Sequence, residues 1–189
     1  SDREVLGEYC FPGEPVHEER ITFQNLSEYE NVDFQGFRGD IYVKEAVIPE
    51  GASVIPKSQF FGCRSLEKVY LPESVSCIED YAFADCHVLK VWESMEKLSL
   101  KSVGISAFEN CYALEFISLP DSLTVIEGAA FAECVSVNKL IFSDTSLLKK
   151  IGDHAFRGCK NLKEVYLPDS VEYVGISAFR DCVSLEKIS

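Results

Sequence analysis

Cysteine is the residue type to weigh first for chemistry, because a thiolate can attack a substrate, ligate zinc or pair into a disulfide. The 189-residue chain holds eight. Six of them, Cys63, Cys86, Cys111, Cys134, Cys159 and Cys182, close an F-x-x-C tetrad that recurs every 23 or 25 residues. There is no C-x-x-C pair, and zinc ligands gather on converging loops, so this spacing argues against a metal site. The flanking residues are apolar, which suits a cysteine acting as a small buried hydrophobe. Stacked parallel side chains also point the wrong way for an easy disulfide. The expectation is a reduced ladder of six thiols. Cys10 and Cys77 fall outside it, and their state stays open.

No other chemistry-bearing type converges. His17, His87 and His154 stand at unlike offsets and pair with no Cys or Ser as a catalytic base would. Acidic pairs such as Glu18-Glu19 and Glu79-Asp80 read as solvated turns, not as the two facing carboxylates of a glycosidase. Neither a G-x-x-x-x-G-K-[ST] loop nor G-x-G-x-x-G is present. Asn25-Leu26-Ser27 has the form of a glycosylation acceptor, a motif short enough to arise by accident. The expected catalytic, cofactor-binding and metal-ligating sets are therefore all empty.

What positions the tetrads is a repeat. They open at Phe60, Phe83, Phe108, Phe131, Phe156 and Phe179, and Phe37 opens a degenerate copy with Asp40 in place of Cys. Apolar residues keep fixed offsets, as in Cys63, Leu66, Val69, Leu71, Val75, Ile78 and Ala82, then Cys111, Leu114, Ile117, Leu119, Leu123, Ile126 and Ala130. Cys159, Leu162, Val165, Leu167, Val171, Val174 and Ala178 make a third set. The end of the segment Leu66 to Leu71 alternates as a strand does. Pro72, Pro120 and Pro168 stop it, because proline cannot donate to a continuing ladder. A second inward segment follows at Val75 and Ile78, and Gly or acidic residues at Glu79, Glu127 and Gly175 turn the chain back to the corner.

One such circuit cannot bury its own apolar edge, so the circuits stack and their strands join in parallel. The expected fold class is a repeat solenoid, mostly β, with short helical or 3-10 corners. Residues 37–189 make about seven coils, the last incomplete at Ser189. Residues 1–36, with Tyr9, Phe11, Phe23, Tyr29 and Phe34, are expected to cap the first coil. An uncovered strand edge at the other end invites pairing, so the alternatives there are a fragment of a longer array or a homodimer through the C-terminal coil.

The pattern C-x-x-L-x-x-[VI]-x-L-P-x-S-[VL]-x-x-I-x-x-x-A-F-x-x-C resembles the BspA-type, or treponemal-type, leucine-rich-repeat family over residues 37–189. The coils from Phe83 and Phe131 depart from it by lacking the Leu-Pro. The resemblance implies a curved right-handed leucine-rich-repeat superhelix with a parallel concave sheet. It also implies secreted or surface-anchored bacterial proteins that adhere to host proteins or other cells, and it brings no catalytic residues to carry over.

Eighteen basic against 31 acidic residues leave a net charge of −13, which opposes nucleic acid and anionic lipid. No run nears the roughly 20 apolar residues of a membrane span. The absent initiator Met agrees with a signal peptide already removed. On the strand, the residues five and seven after each Cys face outward. The first column reads Glu45, Lys68, Val91, Phe116, Lys139, Glu164 and Lys187. The second reads Val47, Tyr70, Glu93, Ser118, Ile141, Tyr166 and Ser189. The expected partner-binding set is Lys68, Tyr70, Glu93, Phe116, Lys139, Ile141, Glu164 and Tyr166, with exposed aromatics as anchors for a host-matrix or cell-surface protein. The competing view takes the same residues as ordinary cross-strand packing and a solvated charge ladder. Two-residue insertions near Ser94 to Lys97 and Ser143 to Ser146 offer a flank, and Trp92 beside the first reads as core filling. The expected function is a non-catalytic interaction or adhesion module of a secreted or surface protein. The alternatives are a structural spacer and, remotely, a glycan-acting enzyme.

Overall fold

The computed structural model describes residues 19–23, 25–30, 37–90 and 97–189. In chain order its elements are β1 (Arg20–Thr22), α1 (Leu26–Glu30), β2 (Glu45–Val47), β3 (Val54–Ile55), β4 (Lys68–Tyr70) and β5 (Cys77–Ile78). There follow β6 (Ser102–Val103), β7 (Phe116–Ser118), β8 (Val125–Ile126), β9 (Lys139–Ile141), β10 (Lys150–Ile151), β11 (Glu164–Val165), β12 (Tyr173–Val174) and β13 (Lys187–Ile188). Every strand pairing is parallel and joins equivalent positions of successive coils. The chain is a parallel-strand β-solenoid of about seven turns with almost no helix. No helix among the described residues is long and apolar enough to cross a membrane.

The first strand segment of each coil, which Pro ends in several of them, makes the first sheet, in the pieces β1-β2-β4, β7-β9 and β11-β13. The second inward segment makes a longer sheet, six strands in the order β12-β10-β8-β6-β5-β3. Between them lies one core. Phe37, Phe60, Phe83, Phe108, Phe131, Phe156 and Phe179 stack with ring centroids 5.2–5.8 Å apart and planes within 12° of parallel. At the N-terminal end Phe23 meets Phe37 and Tyr29 edge-on at 5.9 and 5.0 Å, and the buried Tyr29 hydroxyl donates to the Val54 carbonyl at 3.0 Å. β1 continues the first sheet in register, Arg20 beside Glu45 and Thr22 beside Val47. Tyr9, Phe11 and Phe34 lie outside the described residues.

The corner carries a third ladder, outside the two sheets. Two residues before and two after each Phe the backbone is left-handed, as at Ser58 and Gly62, Tyr81 and Asp85, Ser106 and Asn110, Ala129 and Glu133, His154 and Gly158. Each switch of hand turns alternate N–H groups along the stack. Thus Ser58, Phe60 and Gly62 donate to Asp80, Ala82 and Ala84 of the next coil at 2.8–3.0 Å, and Ser106, Phe108 and Asn110 do the same to Gly128, Ala130 and Ala132 at 2.7–3.0 Å. Within the coil, Cys63 N–H closes a 3-10-type bond to Phe60 at 3.1 Å.

Glycine is required where two coils touch. A Cβ on Gly152 would stand 2.5 Å from the Gly128 nitrogen, and one on Gly104 would stand 2.6 Å from the Asp80 nitrogen. The acidic residues at this turn do more than face solvent, which corrects their sequence reading. Glu79 accepts the Lys57 N–H of the preceding coil at 2.8 Å, while Asp80 accepts the Ile105 N–H of the following one at 2.8 Å. An N–H at a coil boundary needs an acceptor, and a short carboxylate at the turn reaches it.

Two substitutions at this corner should act in opposite directions. Gly152→Ala forces backbone apart and is expected to cost about 1–3 kcal/mol. Ala129→Gly relieves a left-handed alanine at φ 55° and is expected to stabilise by about 0.5–1 kcal/mol. Urea unfolding midpoints measure both; equal midpoints for the two variants contradict the account of the corner.

Candidate functional site

The strand register places the expected columns where the offsets put them. Glu45 pairs with Lys68 and Val47 with Tyr70; Phe116 pairs with Lys139 and Ser118 with Ile141; Glu164 pairs with Lys187. Between each outward pair an apolar residue turns into the core, namely Val69, Ile117, Leu140 and Val165, all at most 8% exposed. The outward aromatics stand clear of it, Tyr70 at 36%, Phe116 at 46% and Tyr166 at 52%. Phe116 and Ile141 share adjacent hydrogen-bonded strands, and β11, which Tyr166 directly follows, lies beside β9. Tyr70 stands on the other piece of the sheet with Lys68. Val91, Trp92, Glu93, Ser94 and Met95 lie outside the described residues.

Both tyrosines are engaged by neighbouring charges. The Arg20 guanidinium lies 5.7 Å from the Tyr70 ring centre, and the Lys187 ammonium 5.0 Å from that of Tyr166. The Tyr166 hydroxyl also donates to Glu164 at 2.9 Å. The Lys187 contact is the cross-strand kind that the competing view expects, and all three orient the rings without covering them.

Beside the first column runs another that sequence reasoning passed over. It reads Glu19, Lys44, Glu67, Lys90, Glu115, Asn138, Lys163 and Glu186, with signs alternating up the stack through Glu115. Lys44 bonds Glu19 at 2.8 Å, and that bond, with the charges of Glu19 and Glu67, raises the lysine pKa. Lys90 lies 3.8 Å from Glu67, and in the adjacent column Arg20 lies 3.2 Å from Glu45. The two columns thus form a checkerboard, E-R, K-E and E-K in successive coils. Its signal was legible as sign reversal at the repeat period. The alternation breaks at Phe116, Ser118, Asn138 and Ile141, with Glu115 and Lys139 left charged among them.

The cysteines are interior. Cys63, Cys86, Cys111, Cys134, Cys159 and Cys182 are buried and unbridged. Each thiol donates to the Phe carbonyl one coil back, at 2.9–3.4 Å, from Cys63 to Phe37 through Cys182 to Phe156. That carbonyl already accepts the N–H of the residue three further on, a cysteine in every case but Phe37, where it is Asp40, so the thiol takes its second lone pair. Asp40, in the degenerate coil, accepts instead, from the N–H groups of Tyr42 and Val43 at 2.7 and 2.9 Å. Burial pushes Cys63 up to about 12 and raises Cys86, Cys111 and Cys134 well above the ordinary thiol range. A protonated buried thiol is a donor and not a nucleophile. Cys77 is half-buried on the other sheet and accepts from Ser102 at 3.3 Å; Cys10 lies outside the described residues.

The remaining candidates stay apart. His87 stacks on Tyr112 at 4.6 Å, His154 occupies a left-handed corner position, and His17 lies outside the described residues. Among the described residues no three His, Cys, Asp or Glu gather as metal ligands would. Asn25 is occupied as a helix cap, accepting the Glu28 N–H at 2.9 Å. The insertion at Ser143 is a clasp: Ser143 and Thr145 donate their hydroxyls to the two oxygens of Asp121, and these bonds lower its pKa.

A buried thiol ladder on one flank, two parallel sheets and outward columns in strict register define a solenoid of leucine-rich repeats. The chain belongs to the BspA type leucine rich repeat family, whose model matches residues 4–136 and 93–189 in six copies. Among solved structures it is similar to a leucine-rich repeat protein from Bacteroides ovatus ATCC 8483, with 30% identity, a TM-score of 0.75 and coverage of 84% of this chain and 40% of that one. It is similar as well to the T. pallidum leucine rich repeat protein, at 25% identity and TM-score 0.75, covering 89% and 78% of the two chains. The pneumococcal vaccine antigen PcpA matches at 27% identity and TM-score 0.55 over 78% of this chain and 35% of its own. The chain therefore spans less than half of the B. ovatus protein and of the pneumococcal antigen. Comparison with curated proteins gave no match.

The ladder makes the fold sensitive to alkali. Above the ordinary thiol pKa of 9.0 the unfolded chain releases protons that the folded chain retains. Stability is therefore full below that pH and falls as the pH rises toward the raised folded values, by up to about 1.4 kcal/mol per pH unit for each such thiol. Urea midpoints between pH 8 and 10.5 measure the slope, which Cys111→Ala should reduce. A slope unchanged by that substitution contradicts the buried-thiol account.

Proposed function

We propose that the solenoid is a non-catalytic protein–protein interaction module of a secreted or cell-surface bacterial protein, and that a partner protein docks on the outward columns of the first sheet. The observation that carries this reading is the break in charge alternation on β7 and β9, where large apolar side chains replace part of the checkerboard. Phe116 and Ile141 stand diagonally across β7 and β9, Phe116 opposite Lys139 and Ile141 opposite Ser118, with Tyr166 beyond them and charged residues around them. An apolar centre with a charged rim is the anatomy of a protein contact, in which a few aromatic anchors carry most of the affinity. Lys68, Tyr70, Lys139 and Glu164 supply orientation and rate. Membership of a repeat family, and similarity to a vaccine antigen, support an exterior location.

One observation favours a second reading, a rigid spacer. The charges of the first sheet pair with one another up the stack, Glu19 with Lys44 and Glu67 with Lys90, which leaves less for a partner.

Retention of the chain on a panel of immobilised extracellular-matrix and bacterial surface proteins separates the two. Phe116→Ser, and Tyr70→Ala combined with Tyr166→Ala, are expected to weaken the retained contact by about tenfold or more while leaving the unfolding midpoint within about 1 kcal/mol of the parent. Retention undiminished in all these variants rejects the strand face as the docking surface.

A further inference from the structure

The outer face of the six-stranded sheet holds a shallow cavity of about 440 Å³, lined by Glu127, Gly128, Lys150, Gly152, Asp153 and Tyr173. Its origin is in the repeat. β8, β10 and β12 lie in register, so Val125, Lys150 and Tyr173 point outward one above another. Beside them Gly128 and Gly152 carry no side chain, and a Cβ at Gly152 has no room. The result is a trough floored by backbone and walled by the Tyr173 ring, which is half-exposed.

Its polar groups are held in place. Lys150 bonds Oε2 of Glu127 at 2.8 Å. Oδ1 of Asp153 accepts the Ile176 N–H at 2.8 Å and the Tyr173 hydroxyl at 3.4 Å. Those bonds use one oxygen of each of these lining carboxylates, and the second oxygen of each remains an acceptor for a ligand. The volume falls in the range of about 300–1,000 Å³ typical of small-molecule sites.

Charge and shape then narrow the occupant. Two carboxylates around one ammonium repel an anion. A cation would have to displace Lys150, which already fills the position between the acids. An apolar ligand would strand the carboxylates and ammonium without water. What fits is an uncharged ring that offers an apolar face to Tyr173 and hydroxyls to two acceptors and a donor. We propose that this trough binds one uncharged pyranose ring of a glycan, stacked on Tyr173, with its hydroxyls shared among Glu127, Asp153 and Lys150. The site lies on a different sheet from the protein-docking columns and stands independently of them.

Saturation-transfer NMR and calorimetric titration of the whole chain test this, with lactose, mannobiose and 3′-sialyllactose as host-type probes and chitobiose as the bacterial-wall type. The expected result is weak binding of at least one neutral disaccharide, with sialyllactose binding no better than lactose. Which neutral probe binds distinguishes the two sources. Tyr173→Ala is expected to lower that affinity at least about tenfold, and Tyr173→Phe to keep it within about threefold. Because Tyr173→Ala could loosen its own coil, Lys150→Met gives a second reading. It should weaken the sugar and admit tetramethylammonium, which the parent chain excludes. Phe116→Ser, which removes the docking anchor on the other sheet, should leave the sugar affinity unchanged. Absence of binding by every neutral probe, preference for sialyllactose or tetramethylammonium in the parent chain, or full affinity in a folded Tyr173→Ala overturns the proposal.

Discussion

Every coil must tolerate its own copy about 5 Å above and below, and that constraint decides which residue types each column can hold. The phenylalanine stack sets the spacing, with centroids at 5.2–5.8 Å. Near-parallel rings at that distance are offset and attract. Cysteine satisfies the constraint differently, since its thiol donates to a carbonyl one coil back and has no need of the thiol above it. The serine that follows each L-P does likewise: Ser74, Ser122 and Ser170 donate to Ala52, Leu100 and Leu148, each at 2.8 Å. Like charges at that spacing repel, so charged columns alternate in sign. Where backbones meet, glycine is left.

The same constraint explains what the sequence made legible. A residue whose partner is its own copy recurs at the repeat period, so the F-x-x-C tetrad and the outward columns could be read directly, and Phe116 beside Lys139 follows from offset alone. Contacts between unlike residues one coil apart are harder to see. Glu79 and Asp80 look like solvated acids because their acceptors serve Lys57 and Ile105, which share no motif with them. β1 was hidden for a related reason. Arg20–Thr22 continues the first sheet but is followed by no tetrad, so its pairing with β2 leaves a periodicity search nothing to align.

The left-handed corner positions were illegible on other grounds. Gly62 and Gly158 would signal such a turn, but Ser, Tyr, Ala, His, Asp, Asn and Glu occupy the equivalent places. A non-glycine residue there costs about 1–2 kcal/mol. The cost is offset because each switch of hand aims an N–H at the next coil, so a corner that is no strand still forms three bonds to its neighbour. Propensity read one residue at a time misses a strain that only the stack repays.

Interior and exterior columns answer to the constraint with unequal force, and the place to look for function follows from that. A buried column must repeat almost unchanged, since any other residue leaves a void or a carbonyl one bond short, and the one degenerate tetrad sits where Asp40 finds other donors. An outward column need only avoid repulsion, and alternating charge does so at little energetic gain per pair. An outward position that abandons this solution for a large apolar side chain therefore exposes surface that the stack itself does not require. Phe116 is such a position on the first sheet. On the second, Tyr173 stands in the column that Lys150 occupies one coil earlier, over a floor of glycine that packing does require. The fold supplies the trough and the flat face by necessity, and the aromatic residues standing over them are what the fold leaves unexplained.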